Sequence, residues 1–215
     1  MAETTANRRR HLPSMAFVVA ILVVIAGIAG AFIYTGVYNI GADAPHSKLV
    51  TVALDQLRER AIARRARDIV APADLASAKR IATGAAMYRE MCSGCHLGPG
   101  VARSEISEGL YPPAPELARG SAHDAAEQYW IIKHGIKLSA MPAWGRTHDD
   151  QLIWDMVAFL RALPKLSPEQ YQAALASAPR AHDEMMAQMP DAAGNATPKP
   201  GGAKAPPHGA PGHRH

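Results

Sequence analysis

The first hydrophobic pattern in the chain is an uninterrupted apolar run near its start. Uncharged residues extend from Leu12 to Ala42, and their apolar centre, 15–38, contains 24 residues. At a rise of about 1.5 Å per residue, a helix of this length spans a hydrocarbon layer of about 30 Å with some tilt. The pattern therefore predicts a single transmembrane anchor over 15–38, preceded by a short N-terminus, 1–14.

Charged residues beside this run predict its orientation. Arg8, Arg9 and Arg10 precede it, and clustered positive charge favours the cytoplasmic side of a membrane. A cleaved signal peptide is the alternative, because Ala29-Gly30-Ala31 is an A-x-A site. Apolar residues continue beyond that site, which favours an uncleaved anchor. Both interpretations export the rest of the chain to the periplasm. With the favoured uncleaved anchor, we expect a protein of the bacterial inner membrane with its main domain in the periplasm.

Residues 39–73 are predicted to form a periplasmic linker that contains a basic helix, 49–70. Its apolar positions fall roughly on one side and its arginines on the other. The apolar positions are Val52, Leu57, Ala61 and Ile69, and the arginines are Arg58, Arg60, Arg64, Arg65 and Arg67. A solvated spacer helix is the favoured interpretation. A basic face that binds anionic lipid headgroups or an acidic partner is the alternative.

Apolar residues recur at helical spacing in three parts of the segment 74–168, and no period-2 strand pattern occurs. We therefore expect an all-α domain. The predicted helices run from Asp74 or Ser77 to about Met91, from the capping box Ser121-Ala122-His123-Asp124 through Lys133 to Gly135, and from the Thr147 and Asp150 cap to Leu163. The stretch 97–119 is rich in glycine and proline and is predicted to be irregular. The remainder, 169–215, is predicted to be weakly helical to about Gln188 and then disordered.

Net charge gives no reason to expect a nucleic-acid partner. The chain carries a formal charge of +4, and the excess lies close to the predicted anchor. Between residues 48 and 80 there are eight basic and four acidic residues, whereas 81–165 holds eight and nine. A glycine inside the first predicted helix, Gly84, costs about 1 kcal/mol relative to alanine, which indicates that another element approaches it closely.

The two cysteines of the chain lie in the sequence Cys92-Ser93-Gly94-Cys95-His96. A C-x-x-C-H sequence is the attachment sequence for c-type haem, in which the thiols bond to the haem vinyl groups and the histidine binds the iron. A thioredoxin-like redox pair requires a βαβ context, and a zinc site requires a second pair of ligands. The pattern supports neither of these, so we expect one covalent haem c.

Met141 is the predicted second iron ligand, because it lies in a predicted loop and precedes the stiff residue Pro142. Three other methionines, Met87, Met91 and Met156, fall on helical stripes and are expected in the core. His134 is expected to cap a helix C-terminus, although it is an alternative ligand, as is an open or water-bound site. His123 and His148 are expected in first turns, where they would point to solvent.

Between about Ile81 and Leu163 the chain resembles mono-haem class I c-type cytochromes. The resemblance rests on the haem motif and on five further groups of residues. They are Gly84 with Tyr88, 111–115 (Tyr-Pro-Pro-Ala-Pro), 129–135 (Tyr-Trp-Ile-Ile-Lys-His-Gly), 141–144 (Met-Pro-Ala-Trp) and 156–160 (Met-Val-Ala-Phe-Leu). The resemblance implies a helical domain over 74–168 around one haem held by His96 and Met141.

The resemblance also implies several contacts around the haem. The first and last helices would cross at Gly84 and Phe159. A proline carbonyl would accept a hydrogen bond from His96 Nδ1–H, and Pro99 and Pro113 are the two candidates. Candidate contacts to the haem propionates are Tyr111, Trp144 and Arg146, whereas Trp130 and Trp154 are expected in the core.

With both axial positions of the iron filled, the expected function is electron transfer rather than catalysis, alone or as the cytochrome subunit of an oxidoreductase complex. The expected partners are a quinol-oxidising complex, a periplasmic dehydrogenase or a terminal oxidase. A small-ligand haem sensor is an alternative if Met141 is displaced. A copper-handling protein is a second alternative. It would bind copper through soft and borderline ligands in the tail, 169–215. These ligands are His182, Met185, Met186, Met189, His208, His213 and His215.

The haem motif generates the first testable prediction. Protein exported from cells competent in cytochrome maturation should be coloured, and the haem should stay with the polypeptide after denaturation. Replacing Cys92 and Cys95 together by alanine should leave no haem on the denatured chain, because both thioether bonds are lost. Absorbance of the denatured, desalted protein measures this, and a colourless wild-type protein would contradict the prediction.

Overall fold

The computed structural model describes residues 14–178, which belong to two compact units that divide after Ser47. In the first unit, helix α1 covers Met15–Thr35. Ser14 caps its N-terminus by accepting a hydrogen bond from the Phe17 amide at 3.2 Å, and Gly36, with φ of 61°, ends it. This helix is long and apolar enough to cross a membrane and buries none of its residues. It is three residues shorter than predicted, and the flanking arginines at 8–10 lie outside the described residues.

All regular elements among the described residues of the second unit are helices, which confirms the predicted all-α fold. Its helices are α2 (Lys48–Ala66), α3 (Ala78–Met87), α4 (Ser93–His96), α5 (Glu105–Glu108), α6 (Ala125–His134), α7 (Asp150–Ala162) and α8 (Pro168–Ser177). Four short turns connect them: a π-helical turn, Tyr88–Cys92, and 3₁₀ turns at Leu117–Arg119, Trp144–Arg146 and Leu163–Lys165. The stretch 97–119, predicted to be irregular, therefore contains α5 and one 3₁₀ turn.

Helices α3 and α7 make the most extensive contact between elements of this unit. A Cβ atom at Gly84 would overlap the Asp155 carbonyl oxygen and lie 2.8 Å from the Phe159 Cβ. The Tyr88 and Phe159 rings pack beside this crossing, with centroids 5.2 Å apart. The close approach inferred from Gly84 is therefore present.

The apolar stripe of α7 lies in the core as predicted. Ile153, Val157 and Phe159 are fully buried, and the Trp154 ring stacks on Tyr129 with centroids 4.3 Å apart. Because α7 presents buried residues on both of its broad faces, it contacts α3 on one side and α6 on the other.

The structure confirms one of the three predicted helix caps and differs from the prediction at the other two. Ser77, one of the two residues predicted to cap this helix, caps the N-terminus of α3. At α6, however, Asp124 rather than Ser121 is the cap: it accepts from the Glu127 amide at 2.8 Å, while Glu127 accepts from the Asp124 amide. At α7, Asp149 accepts from the Leu152 amide at 2.8 Å, in place of the expected Thr147 and Asp150 pair.

Helix α2 is not the solvated spacer that was predicted. It packs against α6, and Ile62 and Ala66 are 1% and 2% exposed. Val52 and Leu57, assigned to the apolar side, are exposed instead. The buried positions follow an i, i+4 spacing that includes the partly buried Arg58. Arg58 belongs to the buried side because its aliphatic stem can cover apolar surface.

Helix α8 also packs onto the helical unit. Its Tyr171 is 1% exposed and meets the Tyr88 ring edge-on, with centroids 6.3 Å apart. The packed unit thus extends beyond the predicted domain, 74–168, at both ends. The candidate copper ligands from His182 onward lie outside the described residues.

The α3–α7 crossing generates a stability prediction. Gly84→Ala should lower the free energy of unfolding by about 1–3 kcal/mol or more, because the added methyl group meets the backbone of α7. Guanidinium unfolding monitored by circular dichroism measures the change. Gly109→Ala is the matched control, since its Cβ would make only ordinary contacts at 3.5 Å and beyond. Equal stability of the two variants would show that the crossing tolerates a larger residue.

Candidate cofactor site

A cavity of about 530 Å³ lies inside the second unit. Its walls come from α2, the π-helical turn with α4, the stretch 110–123, α6, the loop before Trp144, and α7. Apolar atoms make up most of its surface, and its volume is in the range of about 300–1,000 Å³ that is typical of cofactor sites.

Cys92 and Cys95 are free thiols on the wall of this cavity. The π-helical turn and α4 follow α3 without a break, so the helix that crosses α7 also carries both cysteines. Burial, with a smaller effect of Cys95, raises the pKa of the Cys92 thiol to about 12. Redox-active pairs of the thioredoxin type have a lowered thiol pKa. The environment of Cys92 is therefore unlike that of a redox pair.

His96 is held by one hydrogen bond to the backbone. Its Nδ1 lies 2.8 Å from the Pro115 carbonyl oxygen, which can only accept, so Nδ1 carries the proton and Nε2 keeps its lone pair. Burial lowers the pKa of His96, although the bond to Pro115 acts in the opposite direction. The ring is thus neutral and oriented, the state in which imidazole binds metals.

The carbonyl that accepts this bond belongs to neither predicted proline. Pro113 lies on the cavity wall, but Pro115 reaches Nδ1, and Pro99 is not among the wall residues. Residues 112–116 have no regular repeat, so the residue that faces the histidine depends on the path of the backbone. The sequence contained no signal that distinguished among these prolines.

Met141 lies on the cavity wall in the loop after α6. Two bonds hold its backbone: Met141 N donates to the Ser139 hydroxyl at 3.2 Å, and Ile136 N donates to the Met141 carbonyl at 3.2 Å. Gly135 has φ of 65°, and a Cβ there would lie 2.7 Å from the Met141 carbonyl oxygen. The absence of a side chain at Gly135 therefore lets the Met141 loop fold back over the end of α6.

Of the three aromatic and basic residues considered for contacts with propionates, the structure places only Trp144 on the cavity wall. Tyr111 and Arg146 are not among the wall residues. His134, the alternative ligand, is exposed and is also absent from the wall; its ring packs against Trp130 at a tilt of 34°, with centroids 5.0 Å apart.

Two histidines expected to face solvent do not. His148 is 6% exposed and meets the Trp144 ring edge-on at 5.5 Å between centroids. His123 lies on the cavity wall, where Nδ1 is 3.2 Å from Glu127 and Nε2 is 3.7 Å from Glu59 of α2. Both predictions were wrong because α2 and the turn after Trp144 cover positions that would be open on an isolated helix.

The chain after His96 is held by contacts with Tyr88 and Tyr171. The Tyr88 hydroxyl donates to the Leu97 carbonyl at 2.6 Å, and Leu97 has φ of 60°. Gly98 lies against the Tyr171 ring, and a Cβ there would overlap it. Helix α8 therefore covers the loop that leaves the haem motif.

These residues fit a covalently attached haem. Two thiols three positions apart, a neutral imidazole with a free Nε2 and a thioether lie on one largely apolar cavity. Thiols can form the thioethers, and imidazole and thioether sulfur are iron ligands of cytochromes c. Among the described residues, no group of three or more His, Cys, Asp or Glu side chains could hold another metal ion.

Comparison with known proteins agrees with this site. Residues 79–160 match the family described as cytochrome c oxidase, cbb3-type, subunit III. Neither a search of curated proteins nor a search of solved structures found a match. The matched segment begins in α3, ends in α7 and contains the haem motif and Met141. This part of the chain therefore matches a c-type cytochrome domain and is consistent with a class I c-type cytochrome; domains of this kind carry covalent haem c and transfer electrons.

The bond between Tyr88 and Leu97 generates a prediction. Tyr88→Phe should lower the free energy of unfolding by about 1–3 kcal/mol, because it leaves a buried carbonyl oxygen without its donor. Tyr171→Phe is the control, since the Tyr171 hydroxyl makes no hydrogen bond within residues 14–178, and a change under about 0.5 kcal/mol is expected. Denaturant unfolding of the haem-containing protein measures both. A smaller loss for Tyr88→Phe than for Tyr171→Phe would contradict the role of this bond.

Proposed function

We propose that the protein is a membrane-tethered electron carrier that uses one covalent haem c, with His96 and Met141 as the axial ligands. The observation that carries the proposal is the common position of Cys92, Cys95, His96 and Met141 on one cavity. Met141 follows His96 by 45 positions, so proximity in the sequence does not explain why the two residues lie on the same cavity. Ligation of one haem iron by both residues explains it.

Each residue has a defined part in this proposal. Cys92 and Cys95 attach the haem, burial keeps His96 neutral, and the Pro115 carbonyl fixes the orientation of its ring. Gly135 and the backbone bonds of the loop hold Met141 in place. When bound, the haem supplies one-electron chemistry, and His/Met ligation raises its reduction potential. The apolar walls exclude water, and two occupied axial positions leave no place for a substrate.

The location of the proposed carrier follows from its N-terminal segment. Helix α1 has the length and hydropathy of a membrane anchor. Arg8–Arg10 before it favour a cytoplasmic N-terminus. That orientation places the haem domain in the periplasm of a bacterial inner membrane. The helix is therefore proposed as a tether that keeps the carrier near membrane-bound partners.

The proposed partners are redox proteins that dock transiently. The matched family is described as a subunit of a terminal oxidase, which favours an oxidase complex as the electron acceptor. A quinol-oxidising complex or a periplasmic dehydrogenase is the proposed donor. Redox encounters of this kind use small, polar interfaces, so we expect weak binding that depends on salt.

Methionine ligation gives the experiment that tests the function. Met141→Leu should lower the midpoint potential, abolish the weak sulfur-to-iron charge-transfer band and open the ferrous iron to carbon monoxide, because leucine conserves volume but cannot bind iron. Met91→Leu is the matched control, since Met91 also lies on the cavity wall. Its spectrum and carbon monoxide binding should equal those of the wild type.

The outcomes separate the proposal from its alternatives. Rapid, complete binding of carbon monoxide to the wild-type ferrous protein would favour a small-ligand sensor. A charge-transfer band lost in Met91→Leu but kept in Met141→Leu would assign the axial ligand to Met91 and refute the proposed pair.

A further inference from the structure

Helix α2 contributes to the cofactor cavity although it lies outside the segment that matches the cytochrome family. Arg58, Glu59 and Ile62 of α2 lie on the cavity wall, whereas the matched segment begins at residue 79. Ile62 is 1% exposed, so this part of the wall is closely packed. The cavity is therefore completed by a helix that a minimal cytochrome domain does not require.

The α2 side of the cavity is its charged region. Arg58 is the only arginine or lysine among the described residues of the wall, and Glu59 is its only carboxylate. Glu59 approaches His123 of the neighbouring wall at 3.7 Å, and Gln128 follows one turn further along α6. Most of the other wall residues are apolar, apart from the cysteines, His96 and a few hydroxyls.

Two groups in this region have unused hydrogen-bonding capacity. Gln128 is 6% exposed, and its side-chain oxygen is buried without a partner within residues 14–178. Arg58 donates through Nη1 to Asp55 at 2.9 Å and through Nε to Glu59 at 3.0 Å. Its Nη2 makes no hydrogen bond or ion pair within the same residues. A buried amide without a partner is strongly unfavourable unless a ligand supplies one.

A haem supplies hydrogen-bond acceptors for the unpaired groups of this region. It carries two propionate carboxylates, and burying them without cations or donors is strongly unfavourable. Nη2 of Arg58 provides two N–H donors, and the amide of Gln128 provides an NH₂ group after a half-turn. Asp55 and Glu59 orient the guanidinium through its other nitrogens.

We propose that Arg58, together with Gln128, binds the propionates of the haem, so that α2 is part of the cofactor site. This inference rests on the proposed function, because it requires a haem in the cavity. It replaces Tyr111 and Arg146, which are not on the wall, as candidates for this contact. It also gives α2 a role in setting the reduction potential, since a cation near the haem favours the reduced form, which carries less positive charge.

The midpoint potential of the full-length protein tests the inference. Arg58→Gln should lower the equilibrium constant for reduction about tenfold, which is about 59 mV for one electron. Glu59→Gln should raise the potential, because it removes a negative charge from the same region. Arg58→Lys keeps the charge and should restore most of the wild-type potential. Spectroelectrochemical titration measures all three.

Arg60→Gln is the matched control on α2. Arg60 is exposed and absent from the cavity wall, so its removal should shift the potential much less than the removal of Arg58. Equal shifts for Arg58→Gln and Arg60→Gln, or shifts of the same sign for Arg58→Gln and Glu59→Gln, would overturn the inference. A protein that carries no haem would instead contradict the proposed function, so the two failures are distinguishable.

Discussion

The contact between α3 and α7 at Gly84 is the constraint on which the rest of the site depends. With no side chain between them, the two backbones approach until a Cβ atom would overlap the Asp155 carbonyl. Helix α3 continues directly into the turn that carries Cys92 and then into α4 with Cys95 and His96. Helix α7 supplies Met156 and Leu160 to the same cavity. The crossing therefore sets the distance between the attachment motif and the opposite wall.

Two helices outside the matched segment pack onto it, α2 on α6 and α8 on α3. Helix α2 packs on α6 and supplies the charged region of the cavity, whereas α8 packs behind the haem motif through Tyr171. Neither helix carries a cysteine or an expected axial ligand. Their contribution is to exclude water and to hold loops that would be exposed in a shorter domain.

Local signals predicted much of this structure from the sequence. The haem motif occupies five consecutive residues, and the stripe of α7 has a clear helical period. Gly84 indicated a close approach because only a tertiary contact explains glycine inside a helix. Met141 was selected because it lies outside any helical pattern, and the structure places it on the cavity wall.

The remaining features depend on tertiary packing, which no local pattern encodes. Pro115 was missed because a proline-rich stretch without regular secondary structure has no periodicity from which the residue that faces His96 can be predicted. The caps at Asp124 and Asp149 were missed because several polar residues precede each helix and any of them can accept the bond. The buried side of α2 was misassigned because Arg58 faces inward, so the true stripe is not purely apolar.

The position of α8 has a consequence for the order of assembly. Tyr171 and Pro168 cover Gly98 and Gly100, immediately after the attachment motif, yet they follow it by about 70 residues in the chain. During synthesis, the cysteines emerge well before the helix that packs against the following loop. The flank of the motif therefore stays open until α8 is made, and packing of α8 closes that flank last.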